Sequence, residues 1–330
     1  MDYIKNSTFI CGHRRSGTSL LVSLLDFHPE LLVYPEDSKF FQHYYPVMDR
    51  PDISPEEKIE SIIKKNYSYT KEVLYKRCDL TEGYLDFTKL EIRFRELART
   101  SSTWPHMLCS MIKAFAECSP QPKNDIKRWV AKTTSSEIFA MEIDKAFPCS
   151  KFIHIVRDPR DNYASLKSGW QTRYRYMSDS LTLEGLRQSC IERGKLGIDM
   201  GLKNIKVMGK EKYMIIRYED LVKNTPTTLK KVAEFLKIDP YKYNMTPSAC
   251  GFPWKGNSLE GKIFDSTSHS QMGKWKKRID NSEAALMEFH YKDLMDIFDY
   301  PLEFSEKEQL EAASEHYKWL NSYRKNTVQK

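Results

Sequence analysis

The stretch STFICGHRRSGTSLLVSLLDFHPELL, residues 7–32, decides the fold of this chain. Residues 7–12 form a short β-rich run that ends in Gly12. Leu20, Leu21, Leu24 and Leu25 then recur at helical spacing over residues 17–27, and His28-Pro29 stops them. Between strand and helix lies Gly12-His13-Arg14-Arg15-Ser16-Gly17-Thr18-Ser19, which has the G-x-x-x-x-G frame of a phosphate loop. Glycines allow close backbone approach, and the loop and the helix start aim N–H groups at a phosphate. A nucleoside-triphosphate loop carries lysine directly after the second glycine, to reach the β- and γ-phosphates. Here Thr18 stands at that position and the nearest basic residue, Arg15, precedes the glycine. Such a loop suits a 5′-phosphate and is poorly equipped for a triphosphate with magnesium.

Outward from this stretch the same alternation continues. KFIHIV (151–156) reads as a buried strand, followed by polar RDPRD and a further helix. YMIIR (213–217) reads as a third strand and PTTLKKVAEFLK (226–237) as an amphipathic helix. Strands alternating with helices predict an α/β fold, a parallel sheet with helices on both faces. From about residue 40 to 130, tyrosines and charges replace strand-like runs, which predicts a mostly helical insertion on the same domain. A charged helix is expected at about 305–325, so residues 1–330 read as one domain.

Composition sets wider bounds. The 330 residues are 40% hydrophobic and 12% aromatic, enough for a large core. No apolar run is long enough to span a membrane, and MDYIKNSTFI lacks the marks of a signal peptide, so the expected location is cytoplasmic. The seven cysteines are scattered without a C-x-x-C pair and read as reduced thiols. A net charge of +7 favours anionic partners without choosing among them. Nucleic-acid binding rests on that charge alone, with no supporting module.

The string RRSGTSLLVSLLDFHPELL closely resembles the 5′-phosphosulfate-binding loop of sulfotransferases that use 3′-phosphoadenosine 5′-phosphosulfate (PAPS) and release its desulfated product, PAP. The resemblance implies a P-loop-NTPase-like sulfotransferase fold, with Arg14, Arg15, Ser16, Gly17, Thr18 and Ser19 around the 5′-phosphosulfate. It also implies that Arg15 neutralises charge growing on the bridging oxygen. KFIHIVRDPRDNYAS resembles the family's second signature and supplies Arg157 and Ser165, the pair that holds the 3′-phosphate. A forked arginine contact and a helix-borne hydroxyl are apt donors for a phosphate. Arg217-Tyr218-Glu219-Asp220-Leu221 resembles a segment that puts Tyr218 near the adenine; a buried core tyrosine is the plain alternative. Ser270–Arg278 resembles the late loop that closes on the cofactor, with Gly273, Lys274 and Lys276; a solvated basic run is the alternative there.

Sulfuryl transfer needs an in-line acceptor, a base for its proton, and cations facing the leaving phosphate. Family members acting on glycans or tyrosyl protein use a glutamate soon after the H-P that ends the first helix, whereas small-molecule members use histidine. That resemblance selects Glu36 as base, with Asp37, His43 and His106 as competitors and an ordinary surface carboxylate as the plain reading. Val130-Ala131-Lys132-Thr133 resembles the family's K-T stretch, implying that Lys132 shares the leaving oxygen with Arg15; Ser266 and Thr267, in FDSTSHS, are candidate hydrogen-bond donors to the same centre. The expected acceptor is a hydroxyl or amine of a carbohydrate, glycolipid or peptidyl group. Tyr44, Tyr45, Tyr67, Tyr69, Trp104 and Trp129 offer either a stacking platform for sugars or ordinary core. No histidine or carboxylate spacing calls for a metal. The competing readings are a P-loop kinase or phosphotransferase, opposed by Thr18, and a non-catalytic binder of PAP or polyanions.

Overall fold

The computed structural model describes residues 1–43, 50, 52–78, 85–101, 103–119, 123, 125–174, 182–243, 245–256 and 268–328. They form two compact units, Met1–Val156 with Met200–Ser268, and Arg157–Asp199 with His269–Lys330.

Among the described residues the first unit holds a five-stranded parallel sheet. Its strands are β1 (Ser7–Cys11), β2 (Leu31–Asp37), β3 (Arg128–Lys132), β4 (Lys151–Val156) and β5 (Tyr213–Arg217), in the order β2-β3-β1-β4-β5. β1, β2 and β4 are buried along their whole lengths, as expected where helices cover both faces of a parallel sheet. The strands predicted at 7–12, 151–156 and 213–217 are all present. LLVY belongs to β2, which runs on through Glu36 and Asp37. β3 was not assigned from the sequence, which ended the insertion at about 130. It lies between β2 and β1, with Ser7 opposite Trp129 and Ile10 opposite Lys132.

Helix α1 (Thr18–Leu25) buries Leu21, Val22, Leu24 and Leu25. Past the end of α1, the Lys123 ammonium donates to the carbonyl oxygens of Asp26, His28 and Leu31. The predicted insertion contributes helices Phe40–His43, Pro55–Ile62, Ser68–Arg77, Phe87–Ala98 and Trp104–Cys118. Pro55–Ile62 opens on a capping box between Ser54 and Glu57. A π-helical turn, Ile63–Tyr67, then leads into Ser68–Arg77. These helices share one apolar core with the sheet, in which Phe9 stacks on Phe152 and meets Trp129 edge-on. Tyr67, Trp104 and Trp129 are interior residues of that core, so they give no platform for a sugar. Tyr44 and Tyr45 lie outside the described residues.

The second unit is helical, with Pro159–Gly169, Leu183–Ser189, Asn281–Ile297 and Glu306–Val328 as its main described elements. Arg160 is its buried centre. The guanidinium forks onto both oxygens of Asp158, reaches Glu288 at 2.6 Å, and lies over the Trp275 ring. Among the described residues no helix is long and apolar enough to cross a membrane.

Candidate active site

The phosphate loop begins where β1 ends. Gly12 has φ +136°, and a side chain there would put Cβ 2.4 Å from the Ile155 carbonyl oxygen of β4. Its N–H donates to the Glu137 carboxylate at 2.9 Å, and its carbonyl accepts from the Ser135 N–H. Arg15 takes the left-handed conformation at φ +69°, a strain that non-glycine residues carry where surrounding structure enforces it. Gly17, at φ +103°, has no room for Cβ either, because the Tyr218 ring would lie 2.4 Å from it. α1 starts at Thr18 with no capping side chain and no acidic residue in its first turn. A loop of this backbone, opening onto an uncapped helix start, fits a phosphate group.

Beside the loop lies a buried group of charges. The Lys132 ammonium, at the end of β3, donates to the Ser19 hydroxyl at 2.8 Å and to Glu36 Oε1 at 3.0 Å. The second Glu36 oxygen pairs with Arg77 at 2.9 Å. Asp37 stands 3.7 Å from the same ammonium and accepts from the Thr134 hydroxyl at 2.7 Å. Glu36 and Lys132 are each only 4% exposed. Burial pushes the Glu36 carboxyl up, but the charges of Lys132 and Arg77 outweigh it and the net shift is downward. Burial likewise pulls the Lys132 ammonium down, and Glu36 and Asp37 reverse this to leave it raised. Both members of the pair are therefore charged at neutral pH.

In the second unit Arg157 directly follows β4 and donates to the Gln271 carbonyl at 2.7 Å. Ser165 is buried on helix Pro159–Gly169. The Asp161 carboxylate collects the N–H groups of Gly273 at 2.7 Å and Trp275 at 2.9 Å, which fixes the turn bearing Lys274. Lys276 is paired with Glu303 at 2.6 Å on the surface.

The profile of the sulfotransferase family matches residues 7–243. The chain belongs to that family. Membership gives it sulfuryl transfer. A search of curated proteins finds no match. Among solved structures, the chain is similar to the sulfotransferase domain of the Synechococcus PCC 7002 olefin synthase. Identity there is 17%, coverage 90% of this chain and 96% of the other, and the TM-score 0.57. It is also similar to the sulfotransferase domain from the curacin biosynthetic pathway, at 18% identity, 90% and 99% coverage and a TM-score of 0.50. At these identities the likeness concerns the fold.

In this sulfotransferase the first unit brings together several residues that the sequence had singled out separately. Ser19 and Glu36 share the Lys132 ammonium through hydrogen bonds, Asp37 is ion-paired to it, and Tyr218 packs on Gly17. His106 is exposed and bonded to Thr103 instead of to this group. The His43 side chain, Ser266 and Thr267 lie outside the described residues. Two members of the site escaped sequence reasoning. Arg77 comes from a helix 41 positions from its partner, and nothing near it in the sequence marks it. Glu137 sits just past β3 in ordinary helical text; only its burial reveals it. Among the described residues no cluster of His, Cys, Asp or Glu is arranged to hold a metal.

Proposed function

We propose that this sulfotransferase moves the sulfuryl group of PAPS to a hydroxyl, or an amine, of a carbohydrate, glycolipid or peptidyl acceptor, with Glu36 as base. The reading rests on one observation: the Lys132 ammonium is bonded at once to a phosphate-loop hydroxyl and to the Glu36 carboxylate. PAPS, when bound, supplies the activated S–O bond. In this assignment Arg14, Arg15, Ser16, Gly17, Thr18 and Ser19 hold the 5′-phosphosulfate and Tyr218 lies by the adenine. Arg157 and Ser165 take the 3′-phosphate, while Gly273, Lys274 and Lys276 belong to the covering loop.

With PAPS bound, Arg15 and Lys132 would offset the charge that grows on the bridging oxygen. As Lys132 turns to that oxygen, Glu36 Oε1 loses a cation and becomes more basic at the moment a proton must be taken. Arg77 keeps its hold on Oε2 and so keeps the carboxylate oriented. The acceptor oxygen bonds to sulfur, the bridging S–O bond breaks, and the acceptor proton passes to Glu36. A carboxylate base, in place of histidine, aligns the chain with glycan- and tyrosyl-protein-modifying members of the family.

Calorimetric titration with PAP, AMP and ATP, the last with and without magnesium, tests the donor assignment. Binding of PAP that AMP does not match, weakened strongly by Arg157→Ala, is the expected result. ATP binding that requires magnesium, with none of PAP, would reject it. A screen with labelled PAPS over glycans, glycolipids, peptides and phenols then tests the acceptor, and transfer to phenols alone would reject the proposed class.

A further inference from the structure

Glu137 has no part in the mechanism above, yet it is fully buried and bonded to the first residue of the phosphate loop. One carboxylate oxygen accepts from the Gly12 N–H, while the other, Oε1, accepts no hydrogen bond from the described residues. The Glu137 backbone is itself anchored, since its carbonyl accepts from the Asn204 side chain at 2.8 Å. The ionisable groups around it are Cys11 on β1, Tyr213 on β5 and, bonded to Tyr213, His154 on β4. Burial holds the Cys11 thiol and the Tyr213 hydroxyl well above their ordinary ranges and pulls His154 down to about 3. All three are therefore neutral at pH 7, and none supplies a positive charge to the carboxylate.

We propose that Glu137 is a positioning residue for the phosphate loop, and that its carboxylate, where still ionised, takes a proton from solvent when a phosphate anion occupies that loop. Ionised, the carboxylate holds the Gly12 N–H and with it the glycine turn that β4 approaches so closely. A second anion placed on the same loop raises the cost of that buried charge, because like charges in a low-dielectric interior disfavour ionisation. Protonation relieves the repulsion. The carbonyl oxygen of the resulting acid still accepts from Gly12, so the turn keeps its anchor. Burial already pushes the free carboxyl up to about 7, so a modest further rise changes its occupancy at neutral pH.

The inference rests on the reading that this loop receives the 5′-phosphate of PAP. PAP is titrated at pH 7 in two buffers of different ionisation enthalpy, with the wild-type protein and with Glu137→Gln. Wild type is expected to take up about half a proton more per PAP bound than the variant, the share of a group titrating near pH 7 that is still ionised before binding. That excess is expected to fade at pH 5, where the free carboxyl is already protonated. A purely structural glutamate would give equal proton counts in both proteins, and equal counts with PAP bound overturn the inference while leaving the donor assignment intact. Absence of PAP binding in the wild type rejects both. Should Glu137→Gln fail to fold, the infrared difference spectrum of the wild type decides: a new protonated-carboxyl band on PAP binding is expected, and none refutes the proposal.

Discussion

Glu36, Lys132 and Arg77 set one another's charge, and their replacement separates chemistry from stability. Glu36→Gln is expected to lower kcat by about two to four orders of magnitude, the usual range for loss of a general base, in an assay with labelled PAPS. Glu36 works only when ionised, so its contribution to rate is present above its depressed pKa and lost as pH falls through it. Removing Arg77 takes away one of the charges that depress it. Arg77→Met is thus expected to move the acid limb of the kcat/KM profile to higher pH, and an unmoved limb would argue against Glu36 as base. Stability follows the same sign: this carboxylate favours the folded state above its unfolded pKa, and that contribution disappears as pH falls through the lowered folded value. At the loop, Gly17→Ala forces both a left-handed backbone and a collision with the Tyr218 ring. The expected loss is about 1–3 kcal/mol in urea unfolding, together with weaker PAP binding.

At the scale of elements, the π-helical turn Ile63–Tyr67 shows how the insertion braces the site. It points Asn66 inward, where the amide accepts from the Tyr34 hydroxyl at 2.7 Å and donates to the Ser38 carbonyl, one residue beyond β2. Asn66→Ala removes both bonds, leaving the Tyr34 hydroxyl with Thr70 alone, and is expected to cost about 1–3 kcal/mol, read from urea unfolding. The elements differ in how far the sequence revealed them. β1, its loop and α1 were legible because their signals are local: an apolar run, two glycines, and leucines at helical spacing. β3 was not, since only Trp129, Val130 and Ala131 lie between Arg128 and Lys132. Its identity as a strand comes from pairing with β1 and β2, which no window of the sequence contains. Lys132 was picked out by its motif, but its geometry follows from that hidden strand. The second arginine of RDPRD had no role assigned from the sequence; Arg160 is bonded to Asp158 and Glu288 and serves the interior of its own unit.

Over the whole molecule, the two units are stabilised in different ways. The first has a continuous aromatic and aliphatic core, while the second closes around the Asp158–Arg160–Glu288 network. Arg160→Met removes the cation that two buried carboxylates share and is expected to destabilise the protein by about 3–5 kcal/mol, seen as a lower thermal midpoint. The strand order also governs how the chain is made. Of the five strands β1 is made before the others, yet both of its edges wait for partners: β3, more than a hundred residues later, and then β4. Until those arrive, an apolar strand with two open edges is displayed on the nascent chain, the kind of segment that pairs with its neighbours on other chains. Slower synthesis prolongs that interval without shortening the distance to β3. Residues 7–11 therefore need shielding over that interval, a demand set by the order of the strands and not by the final stability of the sheet.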